Sequence, residues 1–228
     1  MPRQPFLPMY AKSSLVFGPA HIARKPKIAE AIGRCIVTWS YNEWLMALLL
    51  AAVMQANSRA SVAIFLSLKN YRTQKDVLEA AANATLTGED RDIFDAILLQ
   101  YGGLQTQRAD VAHGIFGHAD VANHDEIVPW IEAKNLSQDW LDQFHSGQPM
   151  SKSDEADNLA QNRGASIYRL KDLEQMEEDM RNLFRSQLLF YTDLALPSEM
   201  NAVSVRQDCK TSHMANALAQ VRKLRAKT

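Results

Sequence analysis

The chain has 228 residues, 46% of them hydrophobic, and a formal net charge of −1. That length and apolar content can bury a substantial core and fit one domain, or one domain with an appended subdomain. The two cysteines, Cys35 and Cys209, stand far apart in no ligand-like spacing, which argues against a disulfide framework, a zinc site or a secreted protein. The expected compartment is a reducing cytoplasm.

Charge is uneven along the chain. Residues 1–34 and residues 206–228 each hold six basic side chains and one acidic one, so both ends are basic and the middle is acidic. Such ends suit contact with nucleic acid or an acidic surface, although short basic tails are more commonly just solvated. The first ten residues carry three prolines and no apolar run before a small-residue cleavage site, so they do not read as a signal peptide. Residues 1–25 read as an N-terminal arm.

Pro26 suits the first position of a helix, and Lys27, Glu30, Arg34 and Thr38 then mark one polar stripe at three-to-four spacing. Past Glu43 the stripe vanishes. Residues 44–54 are apolar all round, as in a helix surrounded by others at the centre of a bundle. That run is about half the length needed to cross a bilayer, so no membrane span is expected.

Shorter helices are predicted over 59–69 and 72–85. Thr87 and Asp90 have the spacing of a capping box, with Asp in place of the usual Glu, and would start the next helix. Ile93, Ile97, Leu98 and Tyr101 recur at helical spacing. Gly102 and Gly103 weaken the run by about 1 kcal/mol each relative to alanine. The pattern resumes with Leu104, Val111 and Ile115, which predicts one long helix, with room for a bend, ending near Gly114 or Gly117.

The character then changes. Residues 127–131 form a short extended candidate in which Pro129 demands an edge position, and residues 167–170 form another that could pair with it as a hairpin. Between them, a short helix is predicted around 136–144 and a polar loop over 146–166. From Asp172 a strong helix puts Leu173, Met176, Met180, Leu183, Phe184, Leu188, Tyr191 and Leu194 on one face. Glu174, Glu177, Glu178 and Arg181 fall on the other, and Pro197 stops the helix. A last basic helix is predicted from about Met214 to Ala226. No repeat of 20 to 50 residues is present.

The candidate chemistry lies in the stretch Gln107-Arg108-Ala109-Asp110-Val111-Ala112-His113-Gly114. A permanent cation and a titratable imidazole five positions apart suit phosphodiester chemistry. The imidazole can move a proton to or from a ribose hydroxyl, while the guanidinium holds the phosphate as charge builds. Such chemistry needs no metal. At about 100° per residue the two side chains stand roughly 140° apart around the helix axis, so convergence on one phosphate calls for a second subunit or for the full reach of the arginine. The plainer reading makes Arg108 a surface partner of an acidic residue and His113-Gly114 a helix terminus, where the dipole favours a cation and glycine supplies a left-handed turn.

The stretch from Leu98 to Gly117, and the upstream helix with Trp39, Glu43, Trp44 and its leucine run, resemble the HEPN-like superfamily. The signature of that superfamily is Arg-x4–6-His, often written Arg-Asn-x-x-Ala-His-Gly, and the resemblance covers roughly residues 26–118. It implies a mostly α, HEPN-like helical bundle, commonly a homodimer. Its active members are metal-independent ribonucleases of defence, toxin–antitoxin or RNA-processing systems; others are inactive scaffolds or binding modules. By position, Arg108 and His113 would be the catalytic pair. The place after the arginine, usually polar, is held by Ala109, with Asp110 one step later.

Glu43 joins Arg108, His113 and Asp110 as a candidate, because a carboxylate beside a core apolar run should have a partner, plausibly Arg108; a structural ion pair explains it equally well. The expected organisation is thus an arm over 1–25, a HEPN-like helical domain over 26–196 and a basic segment over 197–228. Within the domain, a bundle core spans 26–118, a hairpin and loop insertion 119–170 and a helix 172–194. No cofactor and no metal are expected, since His113, His118, His124, Asp110, Asp120 and Asp125 match no ligand spacing. The partners expected are a second copy of the chain, RNA, and an antitoxin or other protein. Trp130, Trp140 and Phe144 offer a base-stacking surface or, more simply, a small core under the hairpin. Met176 and Met180 read as an ordinary helix face.

Overall fold

The computed structural model describes residues 4–5, 15–17, 19–119, 126–132, 166–196, 204–209 and 214–227. The helices are α1 (Pro19–Ala23), α2 (Pro26–Met54), α3 (Ser58–Ser67), α4 (Tyr71–Thr85), α5 (Gly88–His113), α6 (Leu170–Ala195), α7 (Val205–Asp208) and α8 (Met214–Arg225). The strands are β1 (Gln4–Pro5), β2 (Leu15–Phe17), β3 (Gly114–Ala119), β4 (Ile127–Glu132) and β5 (Ser166–Arg169). The protein is therefore mostly helical with a small antiparallel sheet. The predicted helix at 136–144 and loop at 146–166 lie outside the described residues.

The chain divides into two compact units. One comprises residues 1–36 and 107–177, the other residues 37–106 and 178–228. The divisions fall inside α2, α5 and α6, not at the loops where the sequence suggested a boundary.

The first unit holds the sheet, in the order β1-β5-β4-β3-β2 with every pairing antiparallel. The predicted strands at 127–131 and 167–170 do pair, as β4 and β5. The N-terminal segment, expected as an arm, instead supplies a short strand at each edge. Pro129, expected at an edge, lies in β4 at the centre. The ladder to β3 stops at Trp130, one residue short of the proline, so Pro129 sits at a local edge on that side although its strand does not. Lys25 Nζ donates to Ile127 O at 2.6 Å, and Cys35 Sγ donates to Leu173 O at 3.4 Å, tying α2 to the start of α6. Burial, then the nearby Glu177 carboxylate, push the Cys35 thiol up to about 12.

At the start of α6, Asp172 Oδ2 accepts from the Arg169 backbone N–H at 3.1 Å, which satisfies one of the free amides at the helix start. The Arg169 guanidinium grips the same carboxylate through Nε–H at 2.9 Å and Nη2–H at 2.7 Å. Burial alone would raise the Asp172 carboxyl, but these hydrogen bonds and the adjacent positive charge outweigh it and hold it below the usual range.

Glu177, expected on the polar face, is buried and pairs with Arg34 at 3.7 Å. Leu188, expected on the apolar face, is exposed, while Ser186 and Gln187 are buried. Leu173, Met176, Met180 and Leu183 are buried as the pattern predicts, while Ser186 bonds back to Asn182 O of its own helix at 3.2 Å and the Gln187 amide is buried without a hydrogen-bond partner among the described residues.

The second unit is helical among its described residues. Asn57 caps α3 by accepting from Ala60 N at 3.0 Å, and Asn70 caps α4 by accepting from Thr73 N at 2.8 Å. The fully buried Asn42 donates to Met180 O at 3.0 Å, pinning α2 to α6. Trp39 stacks on Tyr101 at 4.7 Å. Gly102 has a packing reason, since a Cβ there would overlap the Tyr71 hydroxyl. Helix α2 ends in a Schellman arrangement, with Gln55 in the left-handed region at φ 50°, Gln55 N–H on Ala52 O at 3.2 Å and Ala56 N–H on Ala51 O at 3.0 Å.

The predicted capping box at Thr87 does not form. The Asp90 carboxylate pairs instead with Arg206, a charged partner more than a hundred residues away. By length and composition α2 could cross a membrane, because its helical run continues upstream of residue 44; half of that apolar window is buried.

Candidate functional site

The last turn and a half of α5 carries the Arg108–His113 stretch, and the physical reason it stops at His113 lies in β4. The buried Trp130 indole N–H donates to Asp110 O at 2.8 Å, satisfying one of the orphan carbonyls of the last helical turn. The chain passes directly from His113 into β3 at Gly114, so Ile115, expected on the helix, is a strand residue.

Gly114 is not a left-handed cap, since Gly88 is the described glycine with a positive φ. It is required because a Cβ at position 114 would overlap the indole ring of Trp130. Trp130 is 1% exposed and meets Tyr168 edge-on at 6.2 Å, so it offers no face to a base. Trp140 and Phe144 lie outside the described residues. Met176 and Met180 are buried core.

Arg108 is half-buried. Its Nε is buried without a hydrogen-bond partner, and it makes no ion pair among the described residues. The acidic partner of the plainer sequence reading is therefore not seen. His113, the final helical residue, is exposed. Both lie on one continuous helix, so their separation around its axis is the roughly 140° that helical geometry imposes.

Glu43, half-buried, belongs to the second unit, where its Oε1 accepts from Gln74 Nε2 at 3.5 Å, the outer limit of a hydrogen bond. Arg108, its expected partner, belongs to the first unit. Asp110 contributes the carbonyl held by Trp130. The structure thus groups Arg108, Asp110 and His113 on one helix end and gives Glu43 a different partner.

Three features escaped the sequence reading. His118 in β3 stacks on His21 of α1, with ring centroids 6.0 Å apart and planes 15° from parallel. Burial, then the charges of Arg24 and His118, hold the His21 imidazole below the usual histidine range.

The basic C-terminal segment is largely engaged by the acidic first half of α5. Arg206 pairs with Glu89 and Asp90, Arg222 with Glu89 and Asp92, and Arg225 with Asp92 and Asp95. Only their separation in sequence hid these pairs.

Third, Val37, Tyr41 and Trp44 are 58%, 56% and 46% exposed at helical spacing on α2. Tyr41 meets Phe184 of α6 edge-on at 6.0 Å, and Leu188 lies exposed one turn further along α6. The run over 44–54, predicted to be surrounded, is buried or half-buried except at its ends, Trp44 and Met54, and the exposed stripe lies mostly upstream of it.

Among the described residues no three His, Cys, Asp or Glu side chains converge as metal ligands would. In comparisons with known proteins, no family model, no curated protein and no solved structure matches the chain.

Proposed function

We propose that the chain is a metal-independent RNA endonuclease of HEPN-like type, working as a homodimer in the cytoplasm, in defence or in a toxin–antitoxin pair. The observation that carries this reading is the state of Arg108, a guanidinium with a buried Nε and no acidic partner among the described residues, five positions before an exposed imidazole. A buried cationic donor without a partner is costly unless something arrives to pair with it, and a phosphate oxygen does so.

In this reaction His113 takes the proton of a ribose 2′-hydroxyl and the 2′-oxygen attacks the adjacent phosphorus. The bond from phosphorus to the 5′-oxygen breaks, and the leaving oxygen takes up a proton. The products are a cyclic phosphate end and a 5′-hydroxyl. Arg108 offsets the charge that builds on the phosphate. Two copies of the helix end, meeting at one cleft, supply the convergence that a single helix denies. Asp110, on the same helix end, stands as a supporting carboxylate.

The test is incubation of purified protein with mixed RNAs in EDTA. Wild type is expected to leave cyclic phosphate ends, and His113→Ala or Arg108→Ala to lose about 100-fold or more in rate. No cleavage by wild type, or equal cleavage by wild type and His113→Ala, rejects the reading.

A second reading, a non-catalytic helical interaction module, is favoured by two observations. Gly114 has a complete packing explanation, and the Val37/Tyr41/Trp44 stripe is an exposed apolar face of the kind that marks protein contacts. It predicts a dimer lost on Trp44→Glu and no nuclease activity in any variant.

A further inference from the structure

A second place where basic groups gather without acidic partners among the described residues is the corner of the first unit where α1 meets β3. His21 is on the short helix α1, and Arg24 follows three residues later, its backbone N–H on His21 O at 3.3 Å. His118 approaches from β3, the strand flanked by β2, with its ring stacked on that of His21. His21 Nδ1 is buried and has no hydrogen-bond partner. Arg24 is exposed and makes no ion pair among the described residues. Lys25 is not a member, since its ammonium is committed to Ile127 O.

The groups acting on His21 are Arg24 and His118, both basic; no described carboxylate, from α1, β3 or any other element, is among them. A permanent cation beside two stacked imidazoles, with no described counter-charge and one buried ring nitrogen lacking a hydrogen-bond partner, favours an anion.

We propose that His21, Arg24 and His118 form a binding site for a tetrahedral oxyanion, the chemistry presented by a phosphate monoester or by the backbone of RNA. Arg24 supplies a permanent charge and forked donors. The His21 imidazole becomes cationic when the anion arrives, because binding favours the protonated ring that burial and the basic neighbours disfavour. Affinity therefore rises as pH falls through the histidine range. Neither Arg108 nor His113 takes part, so the site stands or falls apart from the nuclease reading.

The test follows the histidine ring signals of the full chain by NMR while sulfate is added at constant ionic strength against chloride. Sulfate keeps a fixed charge across the histidine range, so any pH dependence belongs to the protein. Saturable shifts at His21 and His118 are expected, tighter at pH 6 than at pH 8 by about fivefold or more, with the apparent pKa of His21 raised by about half a unit or more. Arg24→Gln, an exposed substitution, should weaken sulfate about fivefold and leave the melting temperature unchanged.

Uridine 5′-monophosphate and uridylyl-uridine separate the sources. A response to the dinucleotide assigns the site to RNA backbone, and a response to the monophosphate alone assigns it to a terminal phosphate. Sulfate binding with neither nucleotide active means an adventitious ion only and overturns the proposal. So does the absence of a saturable response at His21, equal affinity at the two pH values, or an Arg24→Gln variant that binds like wild type.

Discussion

Replacing Gly114 by alanine tests whether the glycine that follows His113 serves packing or chemistry. The added Cβ would overlap the indole of Trp130, which is buried in the first unit and cannot swing into solvent. Either the ring or the β3 backbone must shift. Overpacking of this kind costs about 1–3 kcal/mol, and displacing the indole N–H from Asp110 O adds about 1 kcal/mol for the lost cap. The sum, roughly 2–4 kcal/mol, corresponds to a melting temperature lower by about 4–16 °C in a chain of this size.

Circular dichroism melts of Gly114→Ala, Trp130→Leu and the double variant measure it. Because the clash exists only when both partners are present, Gly114→Ala should cost less than about 1 kcal/mol in the Trp130→Leu background. A single variant that melts within about 1 °C of wild type, or strict additivity in the double variant, refutes the packing account and returns Gly114 to the active-site reading.

Three further outcomes follow from the structure. Gln55→Gly relieves a left-handed residue at the end of α2 and should raise stability by about 0.5–1 kcal/mol, read as a later denaturant midpoint with unchanged slope; no gain would mean that Gln55 is not strained there. Asp172→Asn should lower the melting temperature at neutral pH. The native carboxyl of Asp172 is held below its unfolded value, so its contribution is full above about pH 4 and fades as pH falls through the lower native value. The gap between wild type and variant should therefore close in acid, and a gap that persists there would show that charge is not its source. Cys35, with its thiol at about 12 and its side chain buried, should resist alkylation at pH 8 in the native state and label only on unfolding; fast native labelling would contradict its burial.

The sequence by itself determined the longer helices, whose signals are local, and offered β4 and β5 as strands that could pair. Pro26 opens α2, Met214 opens α8, and the strands at 127 and 167 are marked by short apolar runs between turn residues. It also brought Arg108, Asp110 and His113 to one helix end, since residues that share a helix are placed by its pitch alone.

Only the tertiary structure decided what pairs across the chain. A capping-box spacing at Thr87 lost Asp90 to Arg206, a polar-face Glu177 went inside to meet Arg34, and a proline that looked like an edge residue entered the middle of a sheet whose ladder ends beside it. Glu43 took Gln74, and His21 found His118 nearly a hundred residues away. Charge and packing partners are chosen by proximity in space, which no spacing along the chain encodes. The glycine after His113 shows the same division: its place was legible in the motif, while its reason, the indole of Trp130, came from another strand.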